Sequence, residues 1–298
     1  FEIKTKVLIN TMGPWVNSLY QLDNNKKNQS MVRLVKGSHI VVKKLFNHDS
    51  AYIFQGKDGR IIFSIPYEKD FTLIGTTEVE HKEGIEVKCS DEEKKYLCDF
   101  ASNYFQKKII VEDIIWDFSG VRALFENKTV EARNASRDYN FEVEEKEGSI
   151  LLTVYGGKIT THRKLAEKAV SKITSLLKLN RKEWTSRQHL PGGDFKLDDK
   201  EKIIGGLLEK YKFLDTRWVE RLFKTFGSEV EKVLGSATAK PDLGRNFGYN
   251  LTEREVLWYI NEEYVKCVED LIWRRSKLGL RLTSKQIREL DAYIKKLN

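Results

Sequence analysis

Tyr155-Gly156-Gly157-Lys158-Ile159-Thr160-Thr161 is the stretch on which the reading of this chain turns. It follows a strand-like run, Ile150-Leu151-Leu152-Thr153-Val154, and precedes a helix-like run from Arg163 to Val170. Two glycines between a strand and a helix let backbone approach a ligand closely. The helix start then offers unbonded N–H groups and the positive end of a dipole. With Lys158, Thr160 and Thr161 at that corner, it suits an anion or the electron-rich edge of a cofactor. An ordinary tight βα turn fits the same residues equally well.

Working outward, 298 residues with 40% hydrophobic and 32% charged content describe a soluble globular chain of two or three domains. No apolar run approaches the roughly 18 residues of a membrane-spanning helix. The net charge of +8 favours anionic ligands or an anionic surface, although acids are interspersed with the basic residues. No nucleic-acid recognition motif occurs, so no nucleic-acid partner is expected. Cys89, Cys98 and Cys267 are widely spaced, which reads as reduced thiols in a cytoplasmic protein. The five histidines lack metal-ligand spacing, and no metal is expected.

Lys6 to Asn10 reads as a buried strand ending at Gly13-Pro14. From Val32 to Glu80 the pattern is β. Ala51 to Gln55 and Arg60 to Ile65 flank Gly56-Lys57-Asp58-Gly59 as a hairpin, and Phe71 to Gly75 adds a strand of the same antiparallel sheet. Asp23 to Ser30 is loop-like. Ser90-Asp91-Glu92-Glu93 is a capping box opening a helix through about Lys107. Ile109 to Trp116 reads as a strand, with Ser119-Gly120-Val121-Arg122 as the turn after it. Val143 to Tyr155 reads as two strands around Lys146-Glu147-Gly148. After Leu190-Pro191-Gly192-Gly193-Asp194 helical periodicity takes over. Ser228 is expected to cap one helix, Thr252 a long one through about Arg275, and Ser284 begins the last.

Three further residues carry chemistry. Arg122 and Arg137, read as standing near strand ends, suit a phosphate or carboxylate, which guanidinium grips bidentately. His39 lies inside the sheet region. Taken singly, a surface ion pair explains each arginine and a hydrogen-bonded strand histidine explains His39.

Taken together, in order, Asn10-Thr11-Met12-Gly13-Pro14-Trp15, Lys36-Gly37-Ser38-His39, Ile74-Gly75-Thr76-Thr77-Glu78, Ser119-Gly120-Val121-Arg122, Ser136-Arg137-Asp138-Tyr139, Gly156-Gly157-Lys158-Ile159-Thr160-Thr161, Leu190-Pro191-Gly192-Gly193 and Trp273-Arg274-Arg275-Ser276-Lys277-Leu278-Gly279 resemble one family. It is that of the FAD-dependent glycerol-3-phosphate dehydrogenases of the aerobic respiratory type. The resemblance runs over essentially the whole chain. It implies an α/β plus α architecture: part of a D-amino-acid-oxidase-like FAD-binding domain (1–20 and 117–178), an antiparallel-sheet substrate or cap domain (21–116) and an all-helical C-terminal domain (179–298).

The resemblance also implies oxidation of glycerol 3-phosphate to dihydroxyacetone phosphate with electrons passed to quinone. The enzyme would sit peripherally on the inner face of the cytoplasmic membrane. His39, Arg122 and Lys158 would be catalytic. Arg122, Arg137 and Lys158 would hold the substrate. Gly13, Gly156, Gly157, Lys158, Ile159 and Thr160 would contact FAD. A homodimer stays open. The sequence departs from the family pattern at Thr11-Met12, Glu78, Ala123, Ser136 and His162. It also lacks the family's opening GxGxxG segment. The expectation is therefore a C-terminal portion, inactive and poor in FAD by itself. The alternative is a non-catalytic remnant, a membrane- or partner-binding domain of the same fold.

Overall fold

The computed structural model describes residues 2–21, 32–57, 59–82, 84–125, 138–146 and 148–297. Asp58 of the hairpin and the loop-like 23–30 segment lie outside them. The chain divides into two compact units, Phe1–Ser186 and Arg187–Asn298.

The first unit holds two sheets and a short helix, α1 (Ser18–Gln21). In the smaller, β1 (Val7–Asn10) runs parallel to β9 (Ser149–Gly156), and β9 is antiparallel to β8 (Tyr139–Lys146). The larger contains β2 (Val32–Lys43), β3 (Tyr52–Gln55), β4 (Ile61–Tyr67), β5 (Phe71–Gly75), β6 (Val79–Glu80) and β7 (Ile114–Phe125). Its antiparallel order is β3-β4-β5-β2-β6, and β7 pairs with β2. The hairpin read at 56–59 joins β3 and β4, with Gln55 opposite Ile61.

Alternation sorts the residues of β2 onto two faces. Ile40 and Val42 turn one way, into a core with Ile62, Ile74, Leu97 and Phe100. The last two belong to α2 (Asp91–Ser102), whose capping box forms as its sequence requires: Ser90 Oγ accepts from the Glu93 amide and the Glu93 carboxylate from the Ser90 amide. Gly37 and His39 turn the other way.

Four expectations need correction. First, α2 stops at Ser102 rather than Lys107. The Ser102 hydroxyl bonds the Cys98 and Ile109 carbonyls and accepts the Ile109 amide, which folds the chain back. Tyr104, beyond the helix, stacks on Phe54 instead. Second, residues 119–122 form no turn. β7 is one strand through Phe125, because Ser119 and Gly120 lie opposite Ser38 and Gly37 in an unbroken ladder. Third, β1 is not buried. Leu8 and Ile9 are 48% and 44% exposed, their faces not covered by any described element, and of its four residues only Asn10 is buried.

The fourth correction concerns the second unit, which holds α4 (Lys200–Lys210), α5 (Thr216–Phe226), α6 (Val230–Leu234), α7 (Glu253–Glu262), a π-helical turn (Asp270–Arg275) and α8 (Ser284–Leu297). They pack around Trp218, Leu222, Phe226, Tyr259, Leu271 and Leu290. The helix read through Arg275 breaks after Glu262. There the Arg275 guanidinium bonds the Glu263 carbonyl at 3.0 and 2.8 Å, and Tyr264 takes φ +56°. Thr252 stands at the N-cap position of α7 as expected but makes no side-chain bond there, and the Ser228 hydroxyl, expected to cap α6, donates to Asp194 instead. The Leu190–Asp194 stretch thereby docks on the end of α5, where the Ser228 amide bonds the Gly192 carbonyl.

Among the described residues no helix is long and apolar enough to cross a membrane. Likewise, none of them form a group of three or more His, Cys, Asp or Glu able to hold a metal ion.

Candidate active site

β2 sets His39 between two strands, opposite Gly75 of β5 and Phe118 of β7. The imidazole stacks on Phe118, with ring centroids 5.0 Å apart and planes 8° from parallel. Gly75 makes room for it: a Cβ there would overlap the imidazole edge, 2.7 Å from Cγ. Burial, and after it the Arg122 cation, lower the His39 pKa below the usual 6.5. The ring is therefore neutral at neutral pH, and its buried Nδ1 has no hydrogen-bond partner among the described residues.

Arg122 stands four residues beyond Phe118 on the same face of β7, opposite Val35. Its side chain leans back over Gly37. A Cβ at Gly37 would lie 2.6 Å from Nη1 of Arg122 and 2.6 Å from Oγ1 of Thr76. The guanidinium thus sits over a position only two residues, about 7 Å of strand, from His39. Its buried Nη1 also lacks a partner among the described residues.

Between these two groups lies Gly120, paired with Gly37, exposed, and with open space where a Cβ would be. The arrangement is a floor of two glycines, a neutral imidazole at one end and a guanidinium with the Thr76 hydroxyl at the other. Such a pair can accept a proton from a hydroxyl while gripping an anion a few ångströms away.

At the end of β9 the diglycine corner forms as its residues require. Gly156 and Gly157 have φ +71° and +102°, and a Cβ at Gly156 would lie 2.7 Å from the Asp138 carbonyl. Lys158 precedes a 3-10 turn, Ile159–Thr161, that leads into α3 (His162–Leu176). The amides of 158 to 160 occupy the opening of that turn, where no intrahelical carbonyl is available. Ile159 is 88% exposed beside them.

The corner abuts the strand that carries Arg122, because Phe125 packs on Gly156 and Tyr155. Gly13 (φ +56°, open space at its Cβ) belongs to a 3-10 turn, Gly13–Trp15, packed on β7 and β9. Asn10 braces that turn by donating to the Val16 carbonyl at 2.9 Å. A cavity of about 670 Å³ opens between Trp15, Leu34, Val87 and the Ser119–Val121 stretch.

Of the residues singled out in the sequence, His39 and Arg122 are brought together directly. Gly13, Gly156, Gly157, Lys158, Ile159 and Thr160 gather where β7, β9 and the Gly13 turn meet. Arg137 lies outside the described residues. The sequence reading did not assign Gly37, Gly75, Thr76, Phe118 or Gly120 to the site. All but Phe118 fall in motifs quoted above, and only strand register shows what they face.

A sheet carrying such a pair, joined by a diglycine corner to a second, partly parallel sheet, defines a class. The profile of the FAD dependent oxidoreductase family matches residues 1–163, and that of the C-terminal domain of alpha-glycerophosphate oxidase matches residues 183–296. The chain belongs to the FAD-dependent oxidoreductase family.

Within it the chain is similar to the glycerol-3-phosphate dehydrogenase of Pseudomonas aeruginosa, 37% identical over 296 residues, covering 99% of this chain and 58% of that protein. It is similar to the aerobic glycerol-3-phosphate dehydrogenase of Escherichia coli at 37% (96% and 57% covered). Similarity to the D-erythritol 1-phosphate dehydrogenase of Brucella abortus is 36% (94% and 56% covered). Among solved structures, the glycerol-3-phosphate dehydrogenase of Bacillus halodurans complexed with FAD superposes with a TM-score of 0.77 at 25% identity, covering 97% of this chain and 61% of that one. The chain therefore spans less than two thirds of the length of the relatives it matches.

Proposed function

We propose that this chain forms the substrate side of an FAD-dependent dehydrogenase that oxidises glycerol 3-phosphate to dihydroxyacetone phosphate. One observation carries the reading: the neutral His39 imidazole and the Arg122 guanidinium, which lies over Gly37, share one face of the sheet beside the open Gly120, each with a buried nitrogen that has no hydrogen-bond partner among the described residues. A phosphorylated polyol has the two groups this arrangement recognises, an anion and a nearby secondary alcohol.

The residues present fit the ring end of FAD. The amides of 158 to 160, the exposed Ile159 and the open Gly13 turn would hold it, and the dipole of α3 favours negative charge at that corner. FAD supplies, when bound, the hydride acceptor. The chain's own work is positional and acid–base. Arg122, joined by Arg137 and Lys158, holds the phosphate so that the carbinol carbon is presented in one orientation. His39 takes the hydroxyl proton. The Phe118 face and the half-buried sheet keep water off the imidazole.

The order of the quoted motifs supports a quinone as electron acceptor and peripheral attachment at the inner face of the cytoplasmic membrane. On this reading turnover requires an ADP-binding part in addition to these residues. D-erythritol 1-phosphate is the competing substrate, on the strength of a relative of nearly equal identity.

NMR of the histidine-labelled chain with FAD tests the proposal. Glycerol 3-phosphate is expected to shift the His39 imidazole signals, more at a given concentration than D-erythritol 1-phosphate does, and Arg122→Met is expected to abolish the response. His39 signals indifferent to saturating glycerol 3-phosphate overturn the proposal and favour a non-catalytic role.

A further inference from the structure

Behind the His39 strand, on the face turned away from the site, lies a buried carboxylate that the proposed reaction does not touch. Glu93, in the first turn of α2, is 7% exposed. Its Oε1 accepts from the Ser38 hydroxyl at 2.8 Å and the Thr77 hydroxyl at 2.7 Å. Its Oε2 accepts from the Lys36 ammonium at 2.7 Å and the Ser90 amide at 2.9 Å. The capping box of α2 needs only the Ser90 bonds. Those from Ser38, Thr77 and Lys36 are surplus to capping.

The surplus bonds reach the residues next to the site on three segments. Ser38 lies between Gly37 and His39. Thr77 follows Thr76, whose hydroxyl sits beside Arg122. The Ser38 hydroxyl is 2.7 Å from that of Ser119, which lies between Phe118 and Gly120. An ionised carboxylate only accepts, so the directions of these bonds follow. Ser38 and Thr77 give their protons to Glu93, and Ser119 therefore donates to Ser38. The Thr77 oxygen is left free to accept the Ser38 amide at 2.9 Å, while the Thr77 amide donates to the Ser38 carbonyl at 3.2 Å. One anion thus orients a chain of hydroxyls that ties β2, β7 and the 76–77 segment together. Charge-assisted bonds in a low-dielectric interior are the strong ones. Burial opposes the charge, but the bonds from Lys36, the Ser90 amide, Thr77 and Ser38 outweigh it and bring the Glu93 pKa down to about 2.

We infer that Glu93 is the positioning residue of the site: acting through Thr77, Ser38 and Ser119, it fixes the spacing at which His39 lies on Phe118 and Thr76 lies beside Arg122. The inference rests on the functional reading of His39 and Arg122, but its test needs neither flavin nor turnover, so the two fail separately.

The test uses the full chain labelled at histidine and phenylalanine, with His39 assigned by comparison with His39→Gln. Wild type is expected to show contacts between the His39 and Phe118 rings and a ring-current displacement of the imidazole. In Glu93→Gln the amide NH₂ must face one of the two donor pairs. Loss of the His39–Phe118 contacts and of the displacement is expected. Thr77→Val, close in shape but without the relay hydroxyl, is expected to do the same and stands in should Glu93→Gln fail to fold. Thr77→Ser is expected to restore the wild-type signals. Ser90→Ala weakens the cap of α2 and lowers the melting temperature, with the His39 signals expected to stay in place. His39 signals unmoved in Glu93→Gln or Thr77→Val overturn the inference. So does a displacement in Ser90→Ala as large as in Glu93→Gln, because that reports helix stability rather than positioning.

Discussion

The imidazole of His39 lies flat on the ring of Phe118, the two residues directly opposite across the β2–β7 ladder. One face of the candidate base is thereby covered by an aromatic ring, and its edge rests on the bare Cα of Gly75. The ring's position is bounded from two neighbouring strands, β7 and β5.

Gly75→Ala should therefore act on His39. The new Cβ would overlap the imidazole, and the ring must swing off Phe118. Overpacking of this kind costs about 1–3 kcal/mol. A misplaced general base forfeits up to about 10²-fold in rate. On the proposed function, a flavin-loaded enzyme completed with an ADP-binding part and carrying Gly75→Ala should melt lower, with kcat/KM for glycerol 3-phosphate reduced by about that factor. Unchanged kinetics would remove His39 from the reaction.

The lowered His39 pKa has a sign. The unfolded chain takes up a proton near 6.5, whereas the folded chain does so only at a lower pH, because burial and the Arg122 cation disfavour the imidazolium. Between those values the unfolded state binds more protons. The contribution to stability is full above about 6.5 and is lost as pH falls through the folded pKa. Unfolding free energy measured against pH should decline on that acid side, and His39→Gln should flatten the decline. Arg122→Met removes the second cause and should raise the His39 pKa, which NMR titration reads directly.

Arg122→Lys keeps the charge but loses the fork. The guanidinium Nη1 has no hydrogen-bond partner among the described residues, and on the proposed function it serves an anionic oxygen. A hydrogen bond to a charged group is worth about 1.5–3 kcal/mol. KM for glycerol 3-phosphate should therefore rise roughly 10- to 100-fold, with kcat affected less. Equal losses in both parameters would place Arg122 at the reacting centre instead.

In the helical unit Arg221 and Glu255 form a bidentate pair at 2.6 and 2.8 Å, and Arg221 also bonds the Asn250 carbonyl at 3.0 Å. Glu255 is 1% exposed. Removing one partner leaves a buried charge, which costs about 3–5 kcal/mol. Glu255→Leu alone should lower the unfolding free energy, measured by denaturant titration, by that amount. Arg221→Met with Glu255→Leu should recover most of it.

Several features of this fold are legible in the sequence because their causes act within a few residues. Gly156-Gly157 opens a corner that needs positive φ, Ser90 and Glu93 cap one helix reciprocally, and Gly56 to Gly59 turns a hairpin. Two of the misreadings share one origin, a partner the reading window does not contain. Ser119-Gly120 has the composition of a turn, yet it stays extended because Ser38 and Gly37 pair with it from another strand. Thr252 to Arg275 has helical periodicity, yet it breaks where the Arg275 guanidinium takes the Glu263 carbonyl.

The sequence by itself determined many of the strands and helices, the order of the motifs and the family. Hydrophobic period, caps and glycine φ are properties of short windows. Only the tertiary structure decided which residues meet. Ser38 and Ser119, 81 positions apart, share a hydrogen bond, and with them His39 comes to rest on Phe118 and the Arg122 guanidinium comes to lie over Gly37. Strand register, set by burying one face of the sheet on α2, assigns those neighbours, and no window short enough to read along the chain contains both partners.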